Sequence, residues 1–210
     1  GLKSEFAGFV AAVNKEATEM CSRLKEKANE ILAKLPWGKA YEKDKFTKPD
    51  FAVVDMIAQG FPQTLRGHNF MNEVNLGRSH VFSNVISALP MSEAFLKEED
   101  LILLRKYDRN AQEVFTGLHE LFGHGSGKLF KRKGNGSFNF DYEGTKDLIT
   151  GEKVTSWYEK GQSYYSVFDK LGQAFEECRA YAVAYMLCCD KSVLESLGYT
   201  GKTAQLIKYV

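Results

Sequence analysis

Two long stretches of this chain repeat their apolar residues at the period of an α-helix, and that repeat restricts the fold more than any other feature. The first runs from about Glu5 to Leu35 through Phe6, Phe9, Val10, Val13, Ala17, Met20, Leu24, Ala28, Ile31, Leu32 and Leu35. This spacing stacks the side chains on one helix face and predicts a single long amphipathic helix ended by Pro36. The second, from Ser166 to Cys189, passes through Phe168, Leu171, Phe175, Cys178, Ala182, Tyr185 and Met186. With 210 residues, 44% of them hydrophobic and 13% aromatic, the chain has the material to bury a core of such helices. A mainly α fold is therefore expected.

Between the two stretches the pattern is more varied. Tyr41 to Asp50 is a charged connector containing Lys48-Pro49-Asp50. Phe51 to Ile57 is a short apolar run whose period does not separate strand from helix, and Gly60 to Gly77 is expected to be loop. Ser92 to Leu96, ending in Ala94-Phe95-Leu96, and Leu101 to Leu104 suggest short helices. A further helix is expected to start at Asn110 as N-cap, with Glu113 completing a capping box, and to run through Val114, Leu118 and Leu121 to the glycines at 123, 125 and 127. Beyond it, Ser137 to Tyr142 alternates polar and aromatic residues behind Asn135-Gly136, which predicts one arm of a small β-hairpin, with Glu152 to Trp157 as the other.

Charge excludes some functions. Lysine and arginine number 28 against 27 acidic residues, so no net field draws the chain to nucleic acid or to an anionic membrane. No apolar run reaches the roughly 18 residues that span a bilayer, and the opening residues lack the apolar stretch of a signal peptide. Of four cysteines, Cys178, Cys188 and Cys189 fall on one expected helix and Cys21 is remote. That is no disulfide framework; the thiols are expected in a reducing compartment, acting as small core residues. The first residue is Gly1 and a helical pattern is still running at Thr203 to Val210, so the chain is expected to be part of a longer one, continuing at both ends.

The chemistry concentrates in His119-Glu120-Leu121-Phe122-Gly123-His124. In a His-Glu-x-x-His helix the two imidazoles lie about 40° apart, whereas one extra residue swings the second about 140° away. A π-type turn would bring positions i and i+5 back onto one face, and Gly123 would ease that distortion. A third ligand is needed, and Glu176-Glu177 lies within the second apolar helix. Glu176 could simply pair with Arg179 at i,i+3 on a solvated stripe. Taken with the two histidines, the carboxylates suit a His₂Glu zinc site with one open position. The segment Gly123 to Lys128 is not a phosphate loop, because Phe122 and Leu129 stand where a glycine and a hydroxyl residue are required. His68 and His80 are expected to be ordinary surface histidines. Tyr164, Tyr165 and Tyr185 suit a pocket wall or plain packing equally well.

The run Gly117 to Phe130, followed by Phe138-Asn139-Phe140-Asp141, Ser156-Trp157-Tyr158 and Glu176-Glu177-Cys178-Arg179-Ala180, resembles the dipeptidyl peptidase III family. Gly8-Phe9-Val10-Ala11, Leu35-Pro36-Trp37 and Glu42 to Phe46 look similar too, so the likeness covers most of the chain. The resemblance implies a cytosolic zinc exopeptidase that removes dipeptides from the N-termini of short peptides, built as two lobes with the zinc in a mainly helical one. Residues 1–210 would then be a partial catalytic region. By motif position, His119, His124 and Glu177 would bind Zn²⁺, Glu120 would act as general base, and Glu176 would orient a histidine from the outer shell. Two departures stand out: Tyr181 occupies a position that is acidic in the family and supports the ligands, and Gly60 to Arg66 stands in for an asparagine- and proline-rich substrate segment. The competing expectation is a zinc-binding but catalytically silent paralogue that acts as a peptide-binding module. Oligomeric state is open.

Overall fold

The computed structural model describes residues 8–60, 67–70, 78–82 and 96–209. Its elements are β1 (Phe9–Val13), α1 (Lys15–Glu26), α2 (Ala28–Leu32), β2 (Asp50–Gln59), β3 (Gly67–Phe70), β4 (Arg78–Phe82), α3 (Glu98–Leu118), a π-helical turn (His119–Gly123), α4 (Tyr164–Phe168), α5 (Lys170–Cys188), α6 (Lys191–Ser196) and α7 (Gly201–Tyr209). The chain is mainly helical with a minor β component, as its periodicity indicates.

The long helix expected from Glu5 to Leu35 is divided. Phe9 to Val13 forms a strand, antiparallel to β2, and Asn14 then caps α1 by accepting the Ala17 N–H at 3.1 Å. An asparagine at that position satisfies a donor that the first helical turn leaves orphaned. A second break at Lys27 separates α2. The apolar spacing of Phe9, Val10 and Val13 fitted a helix, but pairing with the β2 edge decided the outcome, since strand and helix periods overlap over so few residues.

The undecided run Phe51 to Ile57 belongs to β2, in a four-stranded sheet of order β1-β2-β4-β3. β2 runs parallel to β4, and β3 antiparallel to β4. Gly67 to Phe70, expected as loop, is thus a strand, formed because β4 offers it a backbone to pair with. Phe51, Val53 and Val54 are buried, as are the α1 and α2 residues Cys21, Leu24, Ile31 and Leu32. Thr18 ties the first helix to this strand: its hydroxyl accepts the Val53 N–H and donates to the Val53 carbonyl. His68 and His80 are register partners of β3 and β4. The Ser92 to Phe95 stretch and the segment from Phe61 to Arg66 lie outside the described residues.

Asn110 does not start a helix. α3 begins twelve residues earlier, takes in Leu101 to Leu104, and carries Glu98, Glu99 and Asp100 in its first turn, where acidic side chains complement the helix dipole. Asn110 instead donates to the Tyr199 hydroxyl at 3.1 Å, and Glu113 pairs with Arg109. α7 packs back on α3, burying Ala204 and Ile207. The two arms of the expected hairpin, Ser137 to Tyr142 and Glu152 to Trp157, share no β-bridge among the described residues; Phe138 bridges Arg132 instead, and Lys153 bridges Lys146. What holds this irregular segment is a small aromatic cluster: Phe138 stacks on Tyr142 at 4.5 Å, and Trp157 meets both edge-on.

α5 is helical as expected but turned. Leu171, Phe175, Tyr185 and Met186 are exposed, while Gly172, Ala180, Val183, Ala184 and Leu187 are buried. Small residues face inward because the π-helical turn lies almost against them: a Cβ on Gly123 would sit 2.8 Å from both the Ala180 Cβ and its carbonyl oxygen. Gly123 thus serves chiefly this close approach. Gly123→Ala should push the turn away from α5 and cost roughly 1–3 kcal/mol, the usual range for overpacking. Chemical denaturation of the metal-free protein measures it, and an unchanged midpoint would show that the contact yields freely. Among the described residues no helix is long and apolar enough to cross a membrane. All four cysteines are free; Cys21 is buried in the core and the half-buried Cys188 packs against that core, whereas Cys178 and Cys189 are exposed because they ride on the outward face of α5 and its end.

Candidate metal centre

α3 delivers Leu118 to the core with no exposure and then widens into the π-helical turn. The His124 N–H donates to the His119 carbonyl at 3.1 Å, an i to i+5 bond. This is the widening that the extra residue between the histidines requires. The two imidazoles consequently meet edge to face with ring centroids 4.8 Å apart.

α5 packs against the turn and contributes Glu177. His119 Nε2 lies 3.3 Å from Glu177 Oε2, and His124 Nε2 lies 3.7 Å from Glu177 Oε1. One donor atom from each of His119, His124 and Glu177 falls within 4.8 Å of the others. Tetrahedral zinc with bonds near 2.1 Å separates its ligand atoms by about 3.4 Å. The spacing and the donor chemistry therefore fit a zinc-sized divalent ion, and Glu177 is open enough toward solvent to leave a fourth position.

Glu176, one residue earlier, points to the other nitrogen of His124, at 3.0 Å from Nδ1. Arg179 holds the same carboxylate through Nε and Nη2 and reaches the Ser126 carbonyl at 3.2 Å through Nη1. The i,i+3 ion pair expected from the sequence exists, and the carboxylate it holds also contacts His124. Such an outer carboxylate selects the tautomer that leaves Nε2 free for metal. His119 has no counterpart. Its Nδ1 is buried without a hydrogen-bond partner among the described residues, and the Tyr181 ring lies edge-on at 4.7 Å. Phe115 stacks on the same imidazole, so His119 is positioned by packing.

Electrostatics separate the two histidines. Burial, reinforced by the neighbouring His124, lowers His119 to about 4, so its ring is neutral and ready to bind metal. Burial would also lower His124, but the Glu176 hydrogen bond and the charges of Glu120 and Glu177 outweigh it and hold His124 above its ordinary value. Burial likewise works against an ionised Glu176, yet His124 and Arg179 keep it below the usual carboxylate range. Glu120, buried on the same turn, is pushed up to about 7 by burial first of all. A carboxylate whose affinity for a proton matches neutral pH suits a general base.

The remaining tyrosine candidates add no donor to the His119, His124 and Glu177 group. Tyr165 and Tyr185 are exposed, with Tyr185 packed on Phe115 at 4.6 Å. Tyr164 meets Tyr165 edge-on and packs on Phe168. Sequence reasoning missed Glu42 and Lys43, which read as members of a charged connector. Their sequence signals are a place between Trp37 and Phe46 and membership of the segment Glu42 to Phe46 that shares in the family resemblance.

Two histidines on one turn, a buried glutamate between them in sequence and a carboxylate from a neighbouring helix define a centre of the metallopeptidase class. Comparison with known proteins agrees. The chain matches peptidase family M49 over residues 1–210 and belongs to that family. It is 40% identical over 217 residues to dipeptidyl peptidase 3 of Nematostella vectensis, covering all of this chain and 30% of that protein. The Homo sapiens protein of the same name is 38% identical over 219 residues and the Dictyostelium discoideum one 36% over 220, again across the whole chain and 30% and 32% of theirs. The chain thus spans about a third of the length of these curated relatives.

Proposed function

We propose that the protein carrying this region is a zinc-dependent exopeptidase that releases dipeptides from the N-termini of short peptides. Zinc would be held by His119, His124 and Glu177, with Glu120 as general base. The observation that carries the reading is the convergence of these three donors within 4.8 Å beside a buried glutamate. The specificity for N-terminal dipeptides draws on the relatives, which are named dipeptidyl peptidase 3. On the same reading, residues 1–210 are the metal-binding part of a larger, two-lobed catalytic unit, supported by relatives that match the whole chain and extend well beyond it. A cytosolic location is in keeping with four free thiols.

Bound zinc would supply a water of lowered pKa and polarise the scissile carbonyl. The chain's own groups do the rest. Glu120 takes a proton at its carboxylate and returns it to the leaving amine. Glu176, braced by Arg179, keeps the His124 ring in place. Packing by Leu118, Leu121 and Phe122, each 1% exposed or less, keeps water from the inner side of the turn.

The test is product analysis. Zinc-loaded full-length protein and a short peptide, with a free or an acetylated N-terminus, are incubated and the products identified by mass spectrometry. Dipeptide release from the free peptide and resistance of the acetylated one are expected. Equal cleavage of both, or internal cleavage, would rule out the exopeptidase reading. Binding without cleavage would favour a catalytically silent peptide-binding protein.

A further inference from the structure

The chain that follows His124 keeps one local backbone bond, from the Ser126 N–H to the Phe122 carbonyl at 3.0 Å. Gly125 sits where a Cβ would collide with the Leu121 carbonyl, and Gly127 has φ +81°. Glycines at such positions admit the turn but leave it intrinsically loose. Four successive residues there are nonetheless gripped from outside. Gly125 O accepts the Lys43 ammonium at 2.6 Å, and Ser126 O accepts Arg179. Gly127 N donates to Glu42 Oε1 at 2.8 Å, and Lys128 N donates to the Tyr41 carbonyl at 2.8 Å. All but the Arg179 contact come from Tyr41 to Lys43, a segment remote in sequence.

That segment is itself well anchored. Glu42 also accepts the Trp37 indole N–H on Oε2 at 3.0 Å and the Lys43 N–H on Oε1 at 2.8 Å. Phe46 is buried against Phe122, with ring centroids 5.6 Å apart. Lys43 is half-buried, and an ammonium withdrawn from water gives strong hydrogen bonds to a carbonyl but is costly to hold without one. Charge placement follows the polarity of the backbone: a cation meets the carbonyl of Gly125 and an anion meets the N–H of Gly127.

We infer that Glu42 and Lys43 are positioning residues of the metal centre, a charged clasp that fixes the chain immediately after His124 and so sets where its imidazole meets the His119 ring and the Glu177 carboxylate. The inference deepens the zinc reading and rests on it. The two supports of His124 are distinct: Glu176 sets the ring, and the clasp sets the backbone that carries it. Outer groups of this kind typically tune metal affinity by about 10- to 100-fold.

The experiment uses the full-length protein as wild type, Lys43→Met, Lys43→Arg and Glu42→Gln. Zinc affinity is measured by chelator competition, and the visible spectrum is recorded after cobalt replaces zinc. Denaturation of the metal-free forms serves as the control for folding. Lys43→Met should weaken zinc about 10-fold or more and alter the cobalt spectrum, with a much smaller change in metal-free stability, and Lys43→Arg should restore most of the affinity. Glu42→Gln, nearly isosteric, decides the matter should Lys43→Met fail to fold: weaker zinc and a changed spectrum support the clasp. Wild-type affinity and an unchanged cobalt spectrum in the folded variants would overturn it, as would a loss of zinc that merely tracks lost stability. If wild type itself bound no zinc, the metal reading would fail before the clasp did.

Discussion

Glu120→Gln is expected to leave zinc bound while lowering turnover by about 10²-fold or more, the contribution of a positioned general base. Glu120 is 5% exposed and sits on the turn between the two histidines, so an amide of the same shape should not disturb it. The amide cannot accept a proton at neutral pH, so the substitution removes the base while keeping the shape of the side chain. Turnover by zinc-loaded protein measures it; near-normal hydrolysis would move the base elsewhere. The same substitution has a second consequence in metal-free protein. Burial lifts the folded-state Glu120 to about 7 from an ordinary value of 4.5, so between these pH values the folded state binds more protons than the unfolded and stability falls as pH rises. Removing the carboxyl removes that slope. Metal-free Glu120→Gln should therefore gain on wild type as pH rises from 4.5, by up to about 3 kcal/mol above neutral pH at roughly 1.36 kcal/mol per pH unit. Denaturation midpoints measured at about pH 4 and about pH 8 bracket that window and check it. A constant difference would mean that Glu120 is less desolvated than its surroundings imply.

The other large effect concerns the ligands. One zinc per chain is expected in wild type, and His124→Ala or Glu177→Ala should reduce occupancy at equimolar metal to near zero, with affinity falling by more than about 10²-fold. A three-residue site that loses one donor keeps too few bonds to offset dehydration of the ion. Metal analysis after dialysis is the measurement, and unchanged zinc in either variant would remove that residue from the set. Glu176→Gln should have a graded effect of about 10- to 100-fold, since it orients a ligand without donating to the metal. Tyr181→Glu should run the other way. Tyr181 lies one helical turn beyond Glu177 and against His119, whose Nδ1 has no partner among the described residues. A carboxylate there could accept that N–H and tighten the site. Zinc affinity equal to wild type would show that packing by Phe115 and Tyr181 already orients the ring fully.

Much of the centre was legible because its parts are local. Six consecutive residues define the turn, and one spacing irregularity demands a π-type widening, which the structure contains. Glu176 and Glu177 stood out because two carboxylates in an apolar helix need a reason. The role of Arg179 was half legible: an i,i+3 partner can be counted along a helix, but its reach to Ser126 cannot. Glu42 and Lys43 fell within a segment that shares in the resemblance, but their role was not legible, since nothing in a charged connector says which distant backbone it will grip.

Periodicity identified α5 but chose the wrong face. Its largest apolar residues, Leu171, Phe175 and Tyr185, are exposed, and its small ones are buried. Hydrophobic size normally marks the inward face, but here Ala180 must admit the Gly123 backbone at a distance that no larger side chain allows. The same limitation split the expected first helix, where Phe9 to Val13 found hydrogen-bond partners on β2.

The amino-acid sequence by itself therefore determined the helical character, the histidine and glutamate chemistry, and the need for a distorted turn, because each of these follows from neighbours along the chain. Only the tertiary structure decided which strand Phe9 to Val13 would join, which face α5 would bury, and which residues would hold the backbone beyond His124. Those outcomes depend on close approach between segments far apart in sequence, where shape and unpaired backbone groups outweigh the local periodicity of the chain.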